Sequence, residues 1–207
     1  MLQQQYKLDE HGKEILLQDN KHQVMMEWEK PYMETCIDKL QPKGDVLEIG
    51  FGMGYSATQI QKYKPKSHTI IEMDPLVIKR LKKWAKDYDN IIIVEGTWQE
   101  KIGSLGTFDE IFFDDYPLKE PENNFEKKLL SERFFLFLDI CLYSHTNSKT
   151  KFSLYINGLE GTLKKRMEES PYYSYKEYFF DMNVSDNCNY YRDNKGIIPI
   201  IQKINNP

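Results

Sequence analysis

Apolar and polar positions change their rhythm along this chain in a way that orders its elements. Residues 45–49 form a short apolar run, followed by a helical pattern over 55–63. A second apolar run covers 68–72, and a helix follows over 75–88 with Pro75 in its first turn, where its missing N–H costs nothing. Residues 91–95 are rich in β-branched side chains and read as a third strand. A fourth spans 107–113, a long helix 123–143, and a fifth strand 151–156. Strands that alternate with helices predict a parallel sheet covered on both faces.

The rhythm breaks near the end. Residues 172–182 and 196–203 both read as strands, and the loop 183–195 is too short for a crossover helix, so these strands should be antiparallel neighbours. Upstream, 20–40 reads as a helix. The expected fold is α/β and Rossmann-like, a mostly parallel seven-stranded sheet that ends in an antiparallel hairpin. This is the arrangement of class I methyltransferases. All 207 residues are expected in one domain, with 1–42 as an N-terminal helical lid and 43–207 as the core.

Composition narrows the partners. With 28 basic and 32 acidic side chains the net charge is −4, and the densest basic run, Lys79-Arg80-Leu81-Lys82-Lys83, fits a solvated helix face. Nucleic acid needs a phosphate-neutralising surface and is not expected as a partner. Cys36, Cys141 and Cys188 are far apart and odd in number, and the four histidines show no ligand spacing, so neither disulfides nor a metal are expected. The first residues lack the apolar core of a signal peptide, and 134–143 is too short to span a bilayer. A cytoplasmic protein without membrane contact is expected. Its oligomeric state is not legible, a homodimer staying open.

The chemistry starts at Val46-Leu-Glu-Ile-Gly50-Phe-Gly52-Met-Gly54, a buried strand running into glycines spaced two apart and then a helix. Glycine there permits positive φ and lets a ligand lie against bare main chain, while the helix offers free N–H groups. A dinucleotide fold prefers Gly-x-Gly-x-x-Gly, and here the third position falls on Tyr55. Glu48 precedes the loop, and Glu72 ends the second strand where ribose hydroxyls would be accepted. These features favour S-adenosylmethionine, with S-adenosylhomocysteine as product. Two further segments are Met25-Met26-Glu27-Trp28-Glu29-Lys30-Pro31-Tyr32-Met33 and Ile111-Phe-Phe-Asp114-Asp115-Tyr116. The latter lies at the carboxyl end of the fourth strand, the edge where open α/β sheets bind ligands.

Together with 70–74, Glu95-Gly-Thr97-Trp98 and the ending Cys188-Asn-Tyr-Tyr191, these segments resemble the guanidinoacetate N-methyltransferase family and its relatives, the fungal arginine δ-N-methyltransferases. The resemblance implies that Glu29 and Asp114 hold a guanidinium. It also implies that Met25, Met33, Gly50, Phe51, Gly52, Met53, Gly54, Glu72, Met73, Thr97 and Trp98 form the S-adenosylmethionine surface, and that Asn157 and Gly158 border the acceptor. A guanidinium is planar, stays protonated, and matches carboxylates bidentately, so two carboxylates from different segments suit it. Asp114 is also the expected proton acceptor. Glu27 and Asp115 are read as solvated charges.

Where guanidinoacetate enzymes carry a Thr-Ser pair after the Asn, this chain has Leu159 and Glu160. An arginine-like small guanidine is therefore expected over guanidinoacetate. The alternatives are a peptidyl-arginine methyltransferase and a non-catalytic protein that binds S-adenosylmethionine.

Overall fold

The computed structural model describes residues 4–116, 126–156 and 160–205. The chain opens with a three-stranded antiparallel meander, β1 (Gln4–Leu8), β2 (Glu14–Gln18) and β3 (His22–Met26). This corrects the helix expected from residue 20. The apolar run at Val24–Met26 suits either element, and Ile15 and Leu16 on β2 need a partner strand to be buried. Asp19 and Asn20 both take positive φ, 52° and 58°, and Lys21 N–H donates to the Gln18 carbonyl at 3.1 Å. That is a hairpin turn of the primed type, whose hand suits twisted strands. A single 3₁₀ turn, Glu27–Glu29, then leads into α1 (Lys30–Leu40), with Pro31 in its first turn and Gln41 in the left-handed region closing it.

The core follows the expected alternation: β4 (Asp45–Ile49), α2 (Tyr55–Lys62), β5 (Ser67–Glu72), α3 (Pro75–Trp84), β6 (Ile91–Glu95), the short α4 (Trp98–Lys101), β7 (Phe108–Phe113), α5 (Glu126–Ser144), β8 (Thr146–Leu154), α6 (Glu160–Glu168), β9 (Tyr173–Asp181) and β10 (Lys195–Lys203). The strands run in the order β6-β5-β4-β7-β8-β10-β9. The first five are parallel, and β10 lies antiparallel between β8 and β9. The expected class I methyltransferase sheet is present.

Three details differ. The helix expected to reach residue 88 stops at Trp84 and finishes as a 3₁₀ turn, Ala85–Asp87. β8 begins at Thr146 rather than 151, because Thr150 turns inward and its hydroxyl donates to the Phe108 carbonyl. Helix α6 escapes notice in the sequence because only Leu163 and Met167 among its residues are buried apolar side chains.

Alternate residues of β4 face opposite layers. Val46 packs with α1 and α2, whereas Leu47 and Ile49 pack with Trp98 and the phenylalanines of α5. Glu48 shares the Val46 face and is completely buried. Its Oε1 accepts from the Ser56 hydroxyl of α2, and its Oε2 lies 2.9 Å from Nε2 of the buried His68 on β5. Nδ1 of that ring meets the Gln61 amide at 3.1 Å. Glu48 therefore ties β4, α2 and β5 together beneath the glycine loop, and its role is support. Replacing His68 by Ala leaves the carboxylate short of a partner in a dry site and should cost about 3 kcal/mol of stability in a urea titration. A loss below about 1 kcal/mol would contradict this role.

Candidate active site

The ends of β4 and β7 meet at Gly50. Its N–H donates to the Ile71 carbonyl (2.9 Å), and the Asp114 N–H donates to the Ile49 carbonyl (3.0 Å). Gly50 has φ +82°, and a Cβ there would sit 2.2 Å from the Asp114 carbonyl oxygen. Only glycine allows this approach, which sets Asp114 directly beside the loop. Gly52 (φ +50°) and Gly54 (φ +78°) continue the turn, Gly54 capping α2.

Glu72 holds the loop from the neighbouring strand. Its Oε2 accepts from Phe51 N–H (2.9 Å), and its Oε1 from Met73 N–H (2.7 Å) and Asp74 N–H (2.9 Å). Burial raises the Glu72 carboxyl, these three hydrogen bonds oppose that, and nearby Asp74 adds to it. A carboxylate offers about four acceptor sites, and Phe51 of the loop takes one while Met73 and Asp74, just after β5, take two. Met25 of β3 lies over the loop, with Sδ 3.4 Å from the Met53 amide and 2.8 Å from where a Gly52 Cβ would be. From β1, the Tyr6 hydroxyl donates to the Gly52 carbonyl at 2.7 Å, with Arg80 stacked on the Tyr6 ring and paired to Glu14. The meander thus docks on the glycine loop.

Glu29, at the entry to α1, is 3% exposed. Its Oε1 accepts from Met26 N–H at 2.8 Å and from the hydroxyl of Tyr190, which lies between β9 and β10. The Tyr155 hydroxyl stands beside the Glu29 carboxyl and lowers its value slightly without closing a well-directed hydrogen bond. Burial is the stronger influence and raises Glu29 to about 7. Asp114 is deep yet keeps some exposure to the cleft. Burial pushes its carboxyl well up, and Glu29, Glu48, Asp115 and Glu72 push it further. Acids converge here with no cation among them in the described residues, and a cationic guest would relieve the repulsion.

The other expected residues divide. Met25, Met53, Glu72 and Asp114 gather about the loop, and Met73 lines a depression of about 550 Å³ with Pro75, Ile78, Glu95 and Gly96. Thr97 caps α4. Trp98 is buried against Phe113 and Phe137, and its indole N–H donates to Asp115 at 2.9 Å. The Phe51 ring packs on Trp84 at 5.3 Å and lies against Gly54, where a Cβ would sit 2.6 Å from its Cζ. Met33 is fully buried in the core beneath α1. Asn157 and Gly158 lie outside the described residues. Asp115 and Glu27 are not simply solvated: Asp115 holds Trp98, and Glu27 accepts from Lys13 and from the Glu14 N–H. Tyr6, Tyr155 and Tyr190 escaped notice as site residues. The Tyr190-Tyr191 pair was visible only as a resemblance, because nothing local shows that a distant loop returns to Glu29.

The model of the guanidinoacetate N-methyltransferase family matches residues 4–139. The chain belongs to that family. Among its relatives, protein arginine N-methyltransferase 2 of Candida glabrata is 40% identical over 107 residues, and that of Saccharomyces cerevisiae 39% over 108. Each match covers 48% of this chain and 26% of the relative, so this family member spans about a quarter of the relatives' length. Among solved structures, a spermidine synthase bound to the transition-state analogue AdoDATO has a TM-score of 0.67 at 17% identity, covering 98% of this chain and 69% of that one. M. jannaschii TYW2 in complex with AdoMet has a TM-score of 0.58 at 15% identity, covering 98% and 86%. These likenesses establish the fold. Family and fold agree with S-adenosylmethionine as the cofactor. Among the described residues, no helix is long and apolar enough to cross a membrane.

The close approach at Gly50 gives a direct test of the loop. Gly50→Ala adds a Cβ against main chain at positive φ, a strain of about 1–3 kcal/mol, and should weaken S-adenosylmethionine binding at least tenfold by calorimetry. Gly106→Ala, where a Cβ meets nothing within 4 Å, should bind normally. Equal affinities in the two variants would remove Gly50 from the donor site.

Proposed function

We propose that this protein is an S-adenosylmethionine-dependent N-methyltransferase of the guanidino group, and that its preferred acceptor is a small arginine-like guanidine. The observation that carries the reading is the convergence at the glycine loop of Glu29, which is buried, and Asp114, which keeps some exposure to the cleft, both with raised values. Isolated buried acids of one sign are costly unless a cation completes them. A guanidinium does so with paired N–H donors in one plane.

S-adenosylmethionine supplies an electrophilic methyl group when bound. Gly50, Gly52 and Gly54 give it bare main chain, Glu72 orders that main chain, and Met25 and Met53 pad it. Glu29 offers Oε2, and Asp114, whose carboxyl has no hydrogen bond among the described residues, offers both oxygens. Held between them, the guanidinium plane is fixed and one nitrogen faces the methyl, so orientation supplies much of the rate. The guanidino nitrogen that takes the methyl group would shed one proton, and Asp114 would accept it. The positive charge of the guest would favour ionised Asp114 beforehand.

Arginine within a protein is the second reading, supported by the names of the fungal relatives. The loss of the Thr-Ser pair at Leu159 and Glu160 supports an acceptor without a carboxylate at that place, and it does not separate free from peptidyl arginine. Specificity constants for arginine, agmatine, guanidinoacetate and an arginine peptide decide. The free arginine-like acceptors should lead, and a lead for guanidinoacetate or the peptide would overturn the preference.

Asp114→Asn should keep S-adenosylmethionine binding and lower kcat by about 10²–10⁴, the usual reach of a proton acceptor. Normal turnover would remove Asp114 from the chemistry. The pH profile carries a second test. Glu29 must be ionised to bind the cation, while the guanidinium does not titrate near neutrality. kcat/KM for the guanidine should therefore rise with pH through a midpoint at or above about 7, a property of the Glu29–Asp114 pair together. A profile flat from pH 6 to 9 would contradict it.

A further inference from the structure

The Tyr190 hydroxyl joins the β9–β10 loop to the site. Tyr190 donates to Oε1 of Glu29, the oxygen that also accepts the Met26 amide at 2.8 Å. With two donors on Oε1, its acceptor sites are filled, and Oε2 is the atom left for a substrate. The tyrosine itself is fixed. Its ring packs on Trp28 with centroids 6.1 Å apart. One residue earlier, the Asn189 N–H donates to Oε1 of Gln23 on β3 at 2.7 Å, and the same amide returns a bond from Nε2 to the Asn187 carbonyl at 2.8 Å. The Asn187 side chain reaches Asp9 of the meander at 3.1 Å. Gln23 thus clasps the main chain of the loop that carries Tyr190, and the strand bearing Gln23 also supplies the Met26 amide.

We propose that Tyr190 is a positioning residue for the acceptor, fixing the Glu29 carboxyl plane so that Oε2 alone faces the guanidinium, and that Gln23 holds Tyr190 in place. This rests on the guanidino methyltransferase reading above. It deepens that reading by making Glu29 a single oriented acceptor, so that the paired N–H donors fall to Asp114 and the plane of the cation is set before it arrives. The titratable groups around Glu29 include Tyr190, Tyr155, Tyr55 and Asp114, and those around Tyr190 include Glu29, Tyr155 and Cys188. None of them carries a positive charge that would replace the lost hydroxyl. The Tyr190 bond lowers the value of Glu29 against its burial, so removing it should move the ionisation of Glu29 to higher pH.

The test compares wild type, Tyr190→Phe and Gln23→Ala. Three readings are taken: S-adenosylmethionine affinity, the pH profile of kcat/KM for the best guanidine, and the ¹³C titration of the Glu29 carboxyl in ligand-free protein. Tyr190→Phe should bind S-adenosylmethionine within about twofold of wild type while losing about tenfold or more in kcat/KM. Its acid limb and the Glu29 titration should both move to higher pH. Gln23→Ala, which keeps the hydroxyl but loosens its loop, should shift the same quantities in the same direction by less. A Tyr190→Phe profile superimposed on an active wild type would overturn the proposal alone, as would loss of donor affinity in step with activity, which marks a merely structural bond. A wild type that methylates no guanidine would fail the function, and the proposal with it.

Discussion

Carboxylates brought together in a poorly hydrated place repel one another and cost free energy. The cleft of this protein is built around that cost. Asp114 is lifted by burial and then by Glu29, Glu48, Asp115 and Glu72. Several of these acids have internal partners: Glu48 has Ser56 and His68, Asp115 has Trp98, and Glu72 has three main-chain amides. Among the described residues, Oε2 of Glu29 and both carboxyl oxygens of Asp114 lack a well-directed hydrogen bond. Holding them there costs stability, and on the proposed reading a planar cation would be the guest that offsets it.

Geometry follows from the parallel sheet. β4 and β7 are neighbours, so their carboxyl ends place the glycine loop and Asp114 side by side, and the missing Cβ of Gly50 lets the main chains touch. The third carboxyl end, that of β5, brings Glu72 under the loop. Glu29 arrives from outside the sheet, on the turn that joins the meander to α1. The meander therefore has two tasks. It covers the loop through Tyr6 and Met25, and it supplies the Met26 amide that donates to Glu29.

The central sheet was legible because each parallel strand is an apolar run closed by a turn signal, and because the hairpin loop is too short for a crossover. Asp45–Ile49 and Ile91–Glu95 match their expected bounds. The N-terminal sheet was not legible as such. Its strands are five residues long, and the apolar pair Met25-Met26 continues into a helix, so the periodicity ran together. The decisive signal was the Asp19-Asn20 turn. The glycine loop, Glu29 and Asp114 were visible through local motifs. Tyr155 and Tyr190 were not, since long-range return of a loop leaves no local pattern. Phe51 and Trp98 were named through the motif, and the Phe51 ring packs on Trp84 while the Trp98 ring packs on Phe137.

The most direct measurement of the account is product identification by mass spectrometry, with isotope-labelled S-adenosylmethionine and a mixture of guanidines, amines, alcohols and thiols. The account predicts label on a guanidino nitrogen and on no other class of acceptor. Label on an amine, oxygen or sulfur, or tight donor binding with no transfer to any guanidine, would contradict it.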